Sequence, residues 1–516
     1  MTLRIGIDVG GTHTDAVLLE GREVRATVKQ RTSEDIADGV VAALSSVLED
    51  MADRSAVRAV MIGTTQFTNA VIERRQLAPA AIVRLALPSG RDVPPMLDWP
   101  DDLADALGRH VFMLPGGRLY DGRPLAPDDP SAVDAVIDEI ARRGLGAVAV
   151  ASVFAPVDAT PEREFAERLR ARLPQVRIVC SHEIGRVGIL ERENAALLNA
   201  SLLAFADRVV DGFARALERQ GLQCPLYISQ NDGTLMSTEF ARRFPALTFS
   251  SGPTNSLRGA SLLAGLDEAV VVDIGGTTSD IGVLRGGFPR ESNLGVEVGG
   301  ARTNFRMPDI QVLGIGGGSL IAPDGSAVGP QSVGYRLVEA GRVFGGDVLT
   351  ATDITVAARG LDIGESERVR DLDAGVVERA VGVIHARLDA AIDRMRTSRD
   401  PVPVVLVGGG SILVHRDLAS ASEVLTPAHA GVANAIGAAH AEIGAEREQI
   451  VPRRDRERAL ADTRSALETE LVAAGARRDA IRLADLEETA VSYMAEDTIR
   501  LRMKLIGALD LGEGAA

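Results

Sequence analysis

The chain has 516 residues, enough for about three or four domains, and its 56 basic and 72 acidic residues leave a net charge of −16. That balance excludes a surface built to hold a phosphate backbone, and aromatics at 3% exclude base-stacking platforms. Apolar residues at 46% are a globular fraction, so a core is expected rather than disorder.

The apolar run Leu3–Val9 predicts a strand. Gly10-Gly11 then predicts a tight turn, and Ala16–Leu19 a return strand. Asp8 interrupts the first run and no basic segment precedes it, so no targeting signal is expected. No apolar stretch approaches the roughly 18 residues that span a bilayer, and the chain is expected to be cytoplasmic, with no membrane and no nucleic-acid partner. Glu34–Met51 places Ile36, Val40, Leu44 and Leu48 on one helical face. Arg58–Ile62 reads as a strand, Thr68–Arg75 as a helix start and Ala80–Leu87 as a strand. Arg91–Pro130, rich in Pro, Gly and Asp, reads as an irregular insertion. Ser131–Arg143 is helical, Ala147–Val153 a buried strand, and Pro161 opens a helix after Thr160. Val176–Cys180 and Pro225–Ser229 read as strands on either side of helical Glu191–Gln220. Pro308–Tyr335 is glycine-dense and reads as a site-forming loop region. Glu442–Arg458 is charged and reads as helical, Thr463–Ala474 as a helix, and Ile481–Tyr493 and Thr498–Ile506 as strands. The alternation predicts α/β lobes with helix-covered sheets.

The first turn recurs. Asp8-Val9-Gly10-Gly11-Thr12-His13-Thr14-Asp15 returns as Asp273-Ile274-Gly275-Gly276-Thr277-Thr278-Ser279-Asp280, again between apolar runs. Two copies this far apart predict two related lobes facing each other. A Rossmann fingerprint would open a helix after its glycines; these open strands. Adjacent glycines let backbone N–H groups approach an anion. Thr12 and Thr277 add hydroxyls. Asp8 and Asp273 are acceptor-only groups suited to Mg²⁺ or its water shell. Two such hairpins could grip a nucleotide's phosphates. Val407-Gly408-Gly409-Gly410-Ser411 follows the run Val402–Leu406 and is either a simple turn or a flat approach to a ring. The only lysines are Lys29 and Lys504, neither after a glycine-rich loop, so a P-loop is excluded. Cys180 and Cys224 are too few for a disulfide scaffold or a Cys-rich zinc site, and no histidines pair at metal-ligand spacing.

The order phosphate hairpin, phosphate hairpin, glycine loop resembles the actin, hexokinase and Hsp70 ATPase superfamily. Further motifs are similar to the hydantoinase A/5-oxoprolinase family within it. They are Gly63-Thr64-Thr65 with Thr68-Asn69-Ala70, Ser181-His182-Glu183 with Glu191-Arg192-Glu193, and Asn231-Asp232-Gly233-Thr234. Ser251-Gly252-Pro253 and Gly314-Ile315-Gly316-Gly317-Gly318-Ser319 complete the set. The resemblance runs from residue 2 to about residue 440. It implies an α/β fold of two actin-like (ribonuclease H-like) lobes with a cleft between them and a small α+β C-terminal appendage. The lobes would span 1–190 and 191–440, and the appendage 441–516.

The resemblance also implies ATP and Mg²⁺ as cofactors, with Asp8 and Asp273 as catalytic and metal-holding residues. Cofactor contacts would come from Gly10, Gly11, Thr12, His13, Thr14, Asp15, Gly275, Gly276, Thr277, Thr278, Gly316, Gly317, Gly318, Gly408, Gly409, Gly410 and Ser411. The implied reaction is ATP-dependent hydrolysis of a cyclic amide such as a hydantoin, 5-oxoproline or a lactam, through phosphorylation of the carbonyl oxygen. The alternatives are a small-molecule kinase and a nucleotide-gated, non-catalytic activator. A second hydrolase subunit and an oligomer are the expected partners. The pattern departs from the family where it often has histidine: here Ile62 precedes Gly63 and Gln311 precedes the late glycine block. His182 and Glu183 are candidate acid and base, or a pair that fixes a loop. Asn69 is either a substrate contact or a helix cap, and Asp347 and Asp353 are caps or catalytic groups.

Overall fold

A computed structural model describes residues 2–11, 13–32, 36–51, 53–292, 295–492, 494 and 497–512. Two of its sheets repeat one plan. In the first, Leu226–Ser229, Val57–Thr64 and Leu3–Val9 run parallel in that order, followed antiparallel by His13–Glu20 and Glu23–Arg31. In the second, Ala421–Leu425, Val402–Val407 and Ala269–Ile274 run parallel, followed antiparallel by Ser279–Arg285 and Ile310–Leu313. The repeat seen in eight residues of sequence is therefore a duplicated five-strand lobe. The expectation of an α/β molecule with two related lobes is met.

The strands are apolar because helices cover both faces of the first sheet. Ile5 and Ile7 are fully buried in one cluster with Val40 and Leu44 of the helix Ile36–Val47. Val17 and Leu19 pack on the other face against Ala435 and Ile436 of the helix Ala433–His440. Full burial of such side chains contributes about 1.5–3 kcal/mol each. That helix lies very close to the sheet: a Cβ on Gly6 would stand 2.0 Å from the Ala435 carbonyl oxygen.

A third sheet, all parallel, has the order His110–Pro115, Ala81–Leu87, Ala147–Ser152, Arg177–Cys180. The expected irregular insertion thus contains the strand His110–Pro115 and the helix Asp101–Leu107, both docked on Ala81–Leu87. Its Pro and Gly residues mark the loops between them. The glycine-dense Pro308–Tyr335 region likewise holds three short strands, Ile310–Leu313, Ser319–Ile321 and Val328–Ser332.

Two placements differ from expectation. Leu226–Ser229 and Leu235–Ser237, expected in the second lobe, belong to the first sheet. The segment expected as an appendage extends the same sheet, with Ile443–Pro452 beside Leu235–Ser237, then Thr498–Leu509, then Ala476–Ala490 at the edge. Local patterning shows that a segment is a strand, not which sheet accepts it. Most of Glu442–Arg458 is the strand Ile443–Pro452 and a short turn, and only Arg456–Arg458 begin a helix. Its charges are met across strands: Arg502 Nη1 donates to Glu446 at 3.0 Å.

Candidate functional site

The two hairpins have the same geometry. Asp8 lies opposite Asp15 and Val9 opposite Thr14; Asp273 lies opposite Asp280 and Ile274 opposite Ser279. Each turn closes on its first glycine, Gly10 N–H to His13 O at 3.0 Å and Gly275 N–H to Thr278 O at 2.9 Å. Register therefore places two carboxylates side by side at the mouth of each hairpin.

Their neutralisation differs. In the first hairpin, the Asn434 amide donates to Asp8 Oδ2 and Asp15 Oδ2, each at 3.0 Å. Lys29 donates to both oxygens of Asp15 at 2.9 Å and to the Gly431 carbonyl at 3.2 Å. Burial and the neighbouring Asp15 still push Asp8 up to about 6, against the pull of Asn255 and Asn434. In the second hairpin, no cationic side chain pairs with Asp273 or Asp280 among the described residues. Burial, with Asp273 adding repulsion, pushes Asp280 up to about 7. Burial also raises Asp273, opposed by a hydrogen bond from Ser256 and by the charge of Lys29.

One helix, Ser251–Ala264, reaches both hairpins. Asn255 Nδ2 lies 3.5 Å from Asp8 Oδ1, and the next residue, Ser256, bonds Asp273. The helix crosses Ala433–His440 at backbone contact. A Cβ on Gly259 would meet the Ala433 carbonyl at 1.9 Å, and one on Gly437 would meet the Asn255 carbonyl at 1.9 Å. Gly252 and Gly63 also face Asp8: a Cβ on Gly63 would stand 2.6 Å from its Oδ1. Two segments distant in sequence, Gly63-Thr64-Thr65 and Ser251-Gly252, thus converge on one carboxylate. They are linked by Ser251 Oγ to Thr64 O at 3.3 Å. Asn69, on the helix Gln66–Ile72, has its amide beside Gly11 and its Nδ2 3.5 Å from Thr65 Oγ1.

The glycine segments gather at the second hairpin. Gly317 N–H and Gly318 N–H donate to the carbonyls of Gly275 and Gly276 at 3.0 and 2.7 Å. Gly316 packs flat on the turn, where a Cβ would meet Thr277 N at 2.6 Å. Gly317 and Gly318 therefore buttress the turn and have no N–H left for a phosphate. Gly408, at φ 83°, sits where a Cβ would stand 2.3 Å from Asp273 Oδ1. Gly410 N–H bonds Ile274 O at 2.7 Å, Ser411 N–H bonds Gly408 O at 3.3 Å, and Gly409 faces open space. The N–H groups of Gly276 and Thr277 find no acceptor among the described residues, and they are the free donors of this turn. Thr14 is fully buried and its hydroxyl lies 3.2 Å from that of Thr32, so it ties the first turn down rather than facing a ligand. His13 opens the return strand, and burial lowers its pKa. Thr12 lies outside the described residues.

His182 and Glu183 are elsewhere. They follow the last strand of the third sheet, and no hydrogen bond or ion pair joins them to either hairpin among the described residues. Buried Glu162 accepts from Ser152 N at 2.8 Å, Ser181 Oγ at 2.5 Å, His182 N at 3.1 Å and His182 Nδ1 at 2.7 Å. Glu162, Cys180 and His182 are close enough to hold a metal ion. The carboxylate, however, is already saturated by four donors, and burial holds Cys180 as a thiol. Glu183 makes a surface pair with Arg243 at 3.2 Å. The geometry is that of a loop-fixing pair. Asp353 is a capping residue, completing a capping box with Thr350 on the helix Ala351–Arg359. Sequence reasoning missed Lys29, Asn255, Ser256 and Asn434, and nothing local to them marks them.

Comparison with known proteins agrees with this geometry. The profile described as hydantoinase/oxoprolinase N-terminal region matches residues 4–173, and that described as hydantoinase/oxoprolinase matches residues 192–363. The caprolactamase subunit alpha of Pseudomonas jessenii is 27% identical over an alignment of 471 residues that covers 79% of this chain and 65% of that protein. The crystal structure of the ATP-dependent caprolactamase from Pseudomonas jessenii superposes with a TM-score of 0.80. It is 21% identical and covers 98% of this chain and 87% of that one. The nucleotide-free structure of acetone carboxylase superposes with a TM-score of 0.68 at 16% identity, covering 98% and 88%. The chain spans less than two thirds of the length of the curated relatives it matches. Among the described residues, no helix is long and apolar enough to cross a membrane.

Proposed function

The chain belongs to the hydantoinase/oxoprolinase family, and from that premise we propose that it uses ATP to activate the carbonyl oxygen of a cyclic amide for hydrolysis. The observation that carries this is the pair of matched carboxylate hairpins bridged by one helix, since two such mouths can hold a polyphosphate and its counter-ion between them.

Asp8 and Asp273 fit Mg²⁺, with Asp280 beside the second carboxylate and no resident cation to displace there. Mg²⁺ would neutralise phosphate charge at that place. The free N–H groups of Gly276 and Thr277 donate to phosphate oxygens, and in such transfers positioning and charge stabilisation supply most of the rate. Asn255 and Ser256 hold the two carboxylates in a fixed relation. Gly409 leaves room for a flat ring beside the turn. An unstrained amide resists water. Transfer of the terminal phosphoryl group to its oxygen breaks the bond to ADP and makes the carbon electrophilic. Water then adds, the C–N bond opens to leave an acyl phosphate on the ring-opened chain, and a second water displaces phosphate to give the carboxylate. A hydantoin, 5-oxoproline or lactam satisfies this chemistry. A second subunit completes ring opening, in keeping with the subunit organisation in the relative's name.

The test is phosphate release from Mg-ATP by the purified chain, alone and with a panel of hydantoins, 5-oxoproline and lactams. Stimulation by one ring compound with ring-opened product is expected. A phosphorylated small molecule as end product would make the protein a kinase. Mg-ATP binding that survives replacement of both Asp8 and Asp273 by Ala would remove the proposal's foundation.

A further inference from the structure

The first sheet splays between Leu235–Ser237 and Ile443–Pro452. The two strands pair at one position, Leu235 with Ile443, and then part. Each leads towards a helix, Thr238–Arg243 on one side and Arg456–Ala473 on the other. Where they part lies a cavity of about 170 Å³, room for roughly ten water-sized groups. Met236, Phe240, Leu471 and Ala474 give it apolar walls, and Arg243 and Glu470 bring opposite charges to it, with exposed Glu239 adding a second carboxylate. None of these residues belongs to the hairpins.

The two charges are incompletely matched within the chain. Glu470 is partly buried, and Arg447 stands 3.7 Å away, beyond hydrogen-bond length. Burial raises its pKa, opposed by Arg447 and Arg243. Arg243 is largely exposed, and its 3.2 Å contact with the surface carboxylate of Glu183 occupies one edge of the guanidinium. A guanidinium has five donors, so it retains capacity for a second carboxylate. An apolar slot with a carboxylate and a guanidinium in its lining is complementary to a molecule with an ammonium, a hydrocarbon spacer and a carboxylate.

We infer that this cavity binds a linear amino acid, its ammonium on Glu470, its carboxylate on Arg243 and its methylenes along Met236, Phe240, Leu471 and Ala474. The choice of class rests on the lactam branch of the proposed function, because hydrolysis of a lactam releases a chain with those two ends. The cavity is then a product-sensing site, separate from the hairpins.

The test is calorimetric titration of the full chain, without nucleotide, using β-alanine, γ-aminobutyrate, ω-aminovalerate and ω-aminohexanoate. Saturable binding with a length optimum is expected, with hexanoate and hexylamine weaker by about tenfold or more. Glu470→Gln and Arg243→Gln should each weaken the best probe by about tenfold, and Ala474→Leu, which fills the slot, should abolish binding. Variants are compared only where thermal unfolding matches the parent. No saturable binding by any probe overturns the inference, as does binding that survives Ala474→Leu. Asp8→Ala separates the two readings, because it is expected to stop ATP turnover and leave this titration unchanged. An intact titration without any ring-dependent turnover sustains the cavity and sinks the function; intact turnover with a flat titration does the reverse.

Discussion

The two hairpins share a turn, a register and a pair of facing aspartates, yet they are finished differently. The first is tied internally: Asn434 bridges its two carboxylates and Lys29 clamps one of them. Among the described residues no cationic side chain pairs with the second, and burial drives both of its carboxylates upward. The duplicated backbone is thus supported by different side chains in its two copies.

Breaking the second hairpin should have the largest effect. Asp273→Asn is expected to lower Mg-dependent ATP turnover by about 10²–10³-fold, read as phosphate release over a magnesium series. Next comes the first hairpin's internal tie. Asn434→Leu leaves two buried carboxylates without their shared donor and should cost about 1–3 kcal/mol, measured by denaturant unfolding without divalent cation. Mg²⁺ and nucleotide should raise the stability of parent and variant alike, since ligand binds only the folded chain.

A third effect falls on the helix that carries Asn434. His440 ends that helix, and burial pushes its imidazole down to about 4, from an ordinary 6.5. The folded state therefore binds its proton less readily than the unfolded chain. Its contribution is complete above pH 6.5 and is lost as pH falls towards 4. At pH 5 the loss should be about 2 kcal/mol. Thermal unfolding from pH 8 to 5 should show it in the parent and not in His440→Phe. The smallest effect belongs to Glu183→Gln, which removes a surface ion pair worth about 0.2–1 kcal/mol and should leave ATP turnover unchanged. A turnover loss comparable to that of Asp273→Asn would return this residue to the chemistry.

Both hairpins were legible because each turn is written in consecutive residues, Asp8 to Asp15 and Asp273 to Asp280, whose backbone demands are local. The family motifs pointed the same way, and the fold they imply agrees with the superposition on the caprolactamase structure. Lys29 and Asn434 were not legible: a lysine in a strand and an asparagine at a helix start are common, and only tertiary packing brings Asn434 across 426 positions to Asp8. The charged segment after residue 441 was misread for the converse reason. Its charges read as helical, whereas Arg502 and Arg186 meet Glu446 across the sheet and beside it. Adjacency in sequence leaves His182-Glu183 open between acid–base and loop-fixing roles; in a short helical turn their side chains diverge, one to Glu162 and one to Arg243.

The bridge from Asn255 to Asp8 and from Ser256 to Asp273 has a mechanical consequence. Consecutive residues on a helix are separated by a rise of about 1.5 Å, so any shift of this helix along its axis moves the partners of both aspartates together.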